Sequence, residues 1–242
     1  MTNSNKPLKA VIVAAGSGSR IKGKTNDTPK TLLPYKGGTI LSAILENISY
    51  SGIKSFVIVV GFKSKLIKEY LDKNNNFGYE ISFVQNDEWK RGNGISVLVS
   101  EKEVGNNPFI LSMSDHIVSR TAIKRVADSD KTANLLLVDP RVDEIFDIDD
   151  ATKVELVDDR IINIGKEIAV YNGIDCGIFR LNQHFFDAMR QQLKDGQESI
   201  SAAVTMLIKN KDMYAVFTQK EDHWLDIDTP EAYNHALDKF KS

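Results

Sequence analysis

Apolar positions along the chain fall into short runs whose spacing alternates between two kinds. Leu8 to Ala15 is mostly apolar and ends at Gly16, the pattern of a strand buried on both faces. Thr39 to Tyr50 carries Ile40, Leu41, Ile44, Leu45 and Ile48 at helical spacing. Ser55 to Gly61 reads as a second buried strand, Ser64 to Leu71 as a second helix and Tyr79 to Val84 as a third strand. Ile95 to Val104 follows as a helix and Pro108 to Met113 as a fourth strand. Strands alternating with helices predict an α/β architecture: a Rossmann-like, mostly parallel sheet flanked by helices. After about Asp139 the rhythm changes to many acids and short alternating segments such as Lys153 to Val157. These predict a small β-rich insertion over about residues 139–173. Ile174 to Leu181 returns as a strand, followed by helices over Gln183 to Leu193 and Ser199 to Ile208. Met213 to Thr218 reads as a late strand and Pro230 to Phe240 as a final helix. No internal repeat or linker intervenes, so residues 1–242 read as a single domain.

Composition narrows the partners. Lys and Arg total 31 against 33 Asp and Glu, a formal net charge of −2. That balance lacks the basic excess that wraps a duplex, so nucleic acid is not an expected partner. The one cysteine, Cys176, excludes an intrachain disulfide framework. No apolar run approaches the ~20 residues that span a bilayer. The polar stretch Met1 to Lys9 is unlike a signal peptide. The expectation is a cytoplasmic protein without membrane insertion, with a homo-oligomer left open.

Candidate chemistry begins where the first strand ends, in Ala14-Ala15-Gly16-Ser17-Gly18-Ser19-Arg20. Closely spaced glycines let the backbone turn tightly and bring its N–H groups close to an anion. Arg20 adds a permanent charge and several donors, and Pro29-Lys30 sets a second cation behind a rigid turn. Two cations flanking an N–H-rich loop suit a triphosphate. A competing pattern overlaps this loop: Gly18, four residues, then Gly23-Lys24-Thr25, as in P-loop nucleotidases. That motif needs a helix beginning at Lys-Thr, and Pro29 and Pro34 oppose one.

Carboxylates form the next set. Asp115, in Ser112-Met113-Ser114-Asp115-His116, follows the fourth strand at its C-terminal end, where open parallel sheets bind ligands. A lone Asp there suits a hard cation such as Mg²⁺. His116 reads as neighbouring structure or a substrate contact, because no other His or Cys spacing supports a zinc site. In His223 to Glu231, extended backbone puts Asp226 and Asp228 on one side. Asp228 or Thr229 also fits as a cap for the final helix, with Pro230 in its first turn and Glu231 placed for a capping box with Asp228. That leaves Asp226 as the better second metal ligand and Asp228 as the second choice. Gln85 closes the third strand, and Trp89 to Ser96 opens a helix, so Gln85, Gly92, Asn93 and Ser96 can meet a base edge. Helix capping is the other use of Asn93 and Ser96. Lys153 and Lys166 are cations in an otherwise acidic insertion, as a phosphomonoester would require.

The run Ala14 to Arg20 followed by Pro29-Lys30 resembles the nucleotidyltransferase superfamily that makes nucleoside-diphosphate sugars and alcohols. The resemblance continues to the last helix. It implies that the glycine loop, Arg20 and Lys30 bind a triphosphate and stabilise charge at its α-phosphorus. It also implies that Asp226, in Trp224-x-Asp226-x-x-Thr229, holds Mg²⁺ together with Asp115, and that Gln85, Gly92 and Asn93 contact the base. The stretches Arg91 to Ser96, Phe109 to His116, Ala151 to Val154, Ile164 to Lys166 and Tyr171 to Phe179 look like the cytidylyltransferases that join CTP to inositol 1-phosphate. That likeness implies CTP as donor and a small phosphorylated or phosphono alcohol as acceptor. Lys166 would hold the acceptor phosphate, with Lys153, Tyr171, Asn172 and Asp175 around the acceptor. That family is often fused to a membrane synthase, whereas these 242 residues hold no expected membrane segment, and Asn74-Asn75-Asn76 is unlike a hyperthermophile's composition. Alternatives are 2-aminoethylphosphonate or phosphocholine as acceptor, or another sugar-1-phosphate nucleotidyltransferase. A P-loop kinase or GTPase and a catalytically silent nucleotide-binding regulator complete the set.

Overall fold

In the computed structural model, which describes residues 6–21 and 28–239, strand β1 (Lys9–Ala14) runs through the middle of the molecule. Its side chains alternate between two apolar layers. Ala10, Ile12 and Ala14 enter one core, and Val11 and Val13 the other. A two-stranded ribbon, β2 (Pro34–Tyr35) and β3 (Gly38–Thr39), leads into helix α1 (Ile40–Ser49). Thr39 and Ser42 cap that helix reciprocally: Thr39 Oγ1 accepts from Ser42 N and Ser42 Oγ from Thr39 N. Ile40, Leu41, Ile44, Leu45 and Ile48 form its buried stripe. The chain then lays down β4 (Ser55–Val60), α2 (Ser64–Lys73) and β5 (Glu80–Gln85).

The helix expected over Ile95 to Val104 is two pieces, α3 (Asn93–Leu98) and α4 (Glu101–Val104). Buried Ser100 lies at the break, its hydroxyl donating back to the Val97 carbonyl, a local bond that competes with helix continuation. Next come β6 (Phe109–Met113), β7 (His116–Val118), α5 (Arg120–Asp128) and β8 (Asn134–Asp139). The insertion is a hairpin, β9 (Lys153–Val157) and β10 (Arg160–Gly165), with a register shift between Ile161 and Asn163. The chain closes with β11 (Gly173–Leu181), α6 (Gln183–Lys194), α7 (Ile200–Lys209), β12 (Met213–Phe217), β13 (Trp224–Asp226) and α8 (Pro230–Lys239).

Nine strands form one mixed sheet in the order β5-β4-β1-β6-β11-β8-β12-β10-β9. The first four are parallel, as alternating strands and helices predict. Beyond β6 the direction changes, because β11 runs antiparallel to both β6 and β8 while β12 runs parallel to β8. The inserted hairpin belongs to this sheet. Strand β9 also pairs with the start of β11, so β11, β8, β12, β10 and β9 close into a ring. Strands β7 and β13 form a separate antiparallel ribbon in which Asp226 faces His116 in register. No described helix is long and apolar enough to cross a membrane.

Candidate active site

The glycine loop, the end of β6 and the β7–β13 ribbon meet at the seam of two cavities, of about 280 and 800 Å³. The smaller lies over the glycine loop. Ala14, Gly16, Ser17 and Gly18 line it, whereas Ala15 is buried behind them with its carbonyl accepting from Phe62 N. Gly18 has a φ of +59°, and a Cβ there would stand 2.8 Å from Lys30 Cβ. A glycine is therefore required twice over, for the turn and for the approach of Lys30. At Gly16 a Cβ would meet nothing within 4 Å, so the fold leaves open space above that backbone.

The two cations sit where that loop meets the carboxylates. Lys30 Nζ donates to Asp115 Oδ2 at 2.6 Å and also pairs with Asp228. Burial alone would lower the Lys30 pKa, but the charges of Asp115 and Asp228 outweigh it and hold the ammonium protonated. Arg20 pairs with Asp228 and with Asp150 of the insertion. Asp150 Oδ1 in turn accepts from Lys166 Nζ at 2.6 Å. Arg20, Asp115 and Asp228 line both cavities, and so does Met113.

Asp228 is a correction to its reading as a helix cap. Thr229 caps α8 instead, its Oγ1 accepting from Ala232 N at 3.1 Å. Asp228 is thereby available to the two cations. The alternation that puts Asp226 and Asp228 on one side does hold, with Leu225 and Ile227 buried on the other.

Asp115, His116 and Asp226 offer ligand atoms within 4.8 Å of one another. The Asp226 Oδ1 atom is buried with no hydrogen-bond partner. Burial lifts its pKa to about 7, with Asp115 and Asp228 adding to the rise and His116 opposing it. His116 Nδ1 lies 2.9 Å from Asp115 Oδ1. Burial would depress this imidazole, but Asp226 and Asp115 raise it to about 9. An orphaned carboxylate oxygen beside a second carboxylate fits a hard divalent cation, which prefers oxygen donors.

The base-side and acceptor-side residues divide. Asn93 lines both cavities and Ser96 the smaller one. Neither caps α3: Asn93 Oδ1 accepts from Ile200 N, and Ser96 Oγ from buried Asn86. Gln85 is exposed at the end of β5, and neither it nor Gly92 lines either of these two cavities. Trp89 and Arg91, which sequence reasoning did not single out, do line the smaller one. Lys166 and Asp175 line the larger cavity, and burial raises Asp175 to about 6.

Lys153, Tyr171 and Asn172 lie outside both linings. Lys153 Nζ donates to the Lys166 carbonyl and stands 5.8 Å from the Tyr171 ring. Asn172 exchanges two hydrogen bonds with the Leu156 backbone and so joins the sheet instead of facing a ligand. Two unexpected groups frame the far wall. The Trp224 indole donates to buried Asp139, which also accepts from Arg141. Phe146 stacks on His235, with ring centroids 4.9 Å apart. Lys24 of the competing phosphate-loop pattern lies outside the described residues.

Comparison with known proteins agrees with this geometry. Residues 9–146 match the family model described as nucleotidyl transferase. A protein of Aquifex aeolicus named bifunctional IPC transferase and DIPP synthase is 31% identical over 230 residues, covering 94% of this chain and 50% of its own length. Its counterpart from Thermococcus kodakarensis is 30% identical over 233 residues, covering 95% of this chain and 50% of its own. The chain thus spans about half the length of the curated relatives it matches. The structure of the inositol-1-phosphate CTP transferase from T. maritima superposes with a TM-score of 0.84 at 24% identity, over 99% of this chain and 98% of that one.

Proposed function

The chain belongs to the nucleotidyl transferase family, and from that premise we propose that it transfers CMP from CTP to a small phosphorylated alcohol, inositol 1-phosphate first among them. The observation that carries this reading is the seam between two cavities, occupied by Arg20, Asp115 and Asp228, with Lys30 reaching it from the smaller one. A nucleoside triphosphate in the smaller cavity has its phosphates over the open Gly16 backbone and against Arg20 and Lys30. Its base extends toward Trp89, Asn93 and Ser96. An acceptor in the larger cavity has Lys166 for its phosphate and Asp175 for a hydroxyl. The α-phosphorus then falls at the seam.

The acceptor phosphate oxygen attacks that phosphorus, one P–O bond forms, and the bond to the departing pyrophosphate breaks. A phosphomonoester is largely dianionic near neutral pH, so no side chain has to remove a proton. The protein's part is alignment and charge stabilisation, with Arg20 and Lys30 exchanging carboxylate partners for phosphate oxygens. Asp115 and Asp226 would hold a divalent cation, Mg²⁺ by preference, with Asp228 beside them. Such an ion supplies charge neutralisation and orientation to the triphosphate. The likeness to the inositol-1-phosphate CTP transferase from T. maritima supports inositol 1-phosphate and CTP. The acids Asp143, Glu144 and Asp147 on the larger cavity favour 2-aminoethylphosphonate as the second acceptor to try, since its ammonium would find carboxylates there.

Pyrophosphate release is the test, with four nucleoside triphosphates crossed against inositol 1-phosphate, 2-aminoethylphosphonate and phosphocholine. CTP with inositol 1-phosphate should be the best pair, and Arg20→Ala or Lys30→Ala should lower kcat/KM by about 10²–10³. Release of inorganic phosphate, or no turnover with any pair, would sink the reading.

A further inference from the structure

We infer that Glu198 is a positioning residue for nucleotide selection, holding the turn that walls the base end of the smaller cavity. The inference rests on the reading above that this cavity takes the nucleoside triphosphate. The turn from Arg91 to Gly94 is held by a segment 107 residues further along the chain. Glu198 Oε1 accepts from Arg91 Nε at 3.0 Å and from Arg91 Nη2 at 2.6 Å. Its Oε2 accepts from Gly92 N at 3.1 Å, and its backbone carbonyl from Gly94 N at 2.9 Å. Asn93 completes the clasp by accepting from Ile200 N at 2.9 Å. Each residue of the turn is therefore tied to Glu198 or Ile200.

The glycines serve the same clasp. A Cβ at Gly92 would overlap the Glu198 backbone, and one at Gly94 would stand 2.7 Å from the Glu198 carbonyl oxygen. They seat Glu198, whereas the sequence alone set Gly92 against a base edge. The clasp also sets the polarity of the cavity wall. Because the Asn93 oxygen receives the Ile200 N–H, its amide nitrogen is left as a donor, and Asn93 lines the cavity. A donor there pairs with the acceptor edge of cytosine. At the matching ring nitrogen of uracil it meets an N–H.

Little of this is needed for stability. The Arg91 and Glu198 side chains are 43% and 30% exposed, and ion pairs open to water contribute little to folding. What a bidentate pair does supply is a fixed orientation. The Arg91 contact and the Gly92 N–H both hold the Glu198 carboxyl below its ordinary range, so it stays ionised and able to accept.

The test uses calorimetry on the whole chain, with CTP and UTP titrated into wild type, Glu198→Gln and Glu198→Ala, and melting temperature as the control. Glu198→Gln keeps the size of the side chain and removes its charge. CTP affinity should fall about tenfold, and the preference for CTP over UTP should shrink about fivefold or more, with the melting temperature unmoved. Glu198→Ala should do at least as much. Equal loss of CTP and UTP affinity, or wild-type preference kept in both variants, overturns the inference alone. A wild type that binds neither nucleotide overturns the transferase reading and this inference with it.

Discussion

Asp226 illustrates how one atom can carry a site. Its Oδ1 is buried without a hydrogen-bond partner, a state that costs free energy unless something fills it. A divalent cation would fill it, so added Mg²⁺ should raise the melting temperature of wild type and leave that of Asp226→Asn unchanged. Equal stabilisation of both proteins would remove Asp226 from the metal site. Asp139 makes the opposite case, a buried carboxyl that is fully partnered. Burial pushes its pKa up, but hydrogen bonds from Arg141 and Trp224 prevail and hold it below the ordinary value of 3.8. A depressed folded value stabilises the protein above the unfolded pKa, and the gain disappears as pH falls through the folded one. Asp139→Asn should therefore cost about 1.5–3 kcal/mol at neutral pH, the range for a hydrogen bond to a charged group. The difference from wild type should shrink in acid melts below about pH 4. A constant difference across that range would show that the Asp139 charge is not what stabilises.

The β7–β13 ribbon is the element on which the site depends, since it sets Asp226 opposite His116. It is braced from behind by β11, where Gly177 has a φ of +73° and a Cβ would overlap the His116 ring. Gly177→Ala should lose about 1–3 kcal/mol of stability and most of the activity together, as urea unfolding and pyrophosphate release would report. A variant stable yet inactive, or active yet unstable, would separate the two roles. Strong apolar runs made β1, β4 and α1 legible in the sequence, and strand-end placement made Asp115 legible. Helix α5 and strand β8 were missed, the helix because five of its nine residues are polar and the strand because it abuts the acidic insertion. Asp228 was misread because its cationic partners Arg20 and Lys30 lie about two hundred residues away, while the next residue caps equally well. Asn172 and Lys153 show a related limit. Spacing places a residue on a strand, as with Lys153, or just ahead of one, as with Asn172, but the ring of strands decides whether it meets a cavity.

Across the whole molecule, Arg20 and Lys30 come from the beginning of the sequence, Asp115 from its middle and Asp226 and Asp228 from its end, and the sheet brings them together. Such non-local assembly is slow in folding. Recovery of nucleotide binding should therefore trail recovery of helical signal after dilution from denaturant, and simultaneous recovery would contradict that order. The ring of β11, β8, β12, β10 and β9 has a further consequence, one for association. A sheet ordinarily has two margins at which a foreign strand can add. Here the β9 margin is partly taken up by its pairing with β11 through Lys153 and Val154, whereas β5, paired only with β4 among the described strands, keeps an outward row of backbone groups. Alternate amides of β5 should exchange with deuterium far faster than those of β1 or β4. Self-association through strand addition, whether a pair or a fibril seed, would have the full length of β5 to grow from.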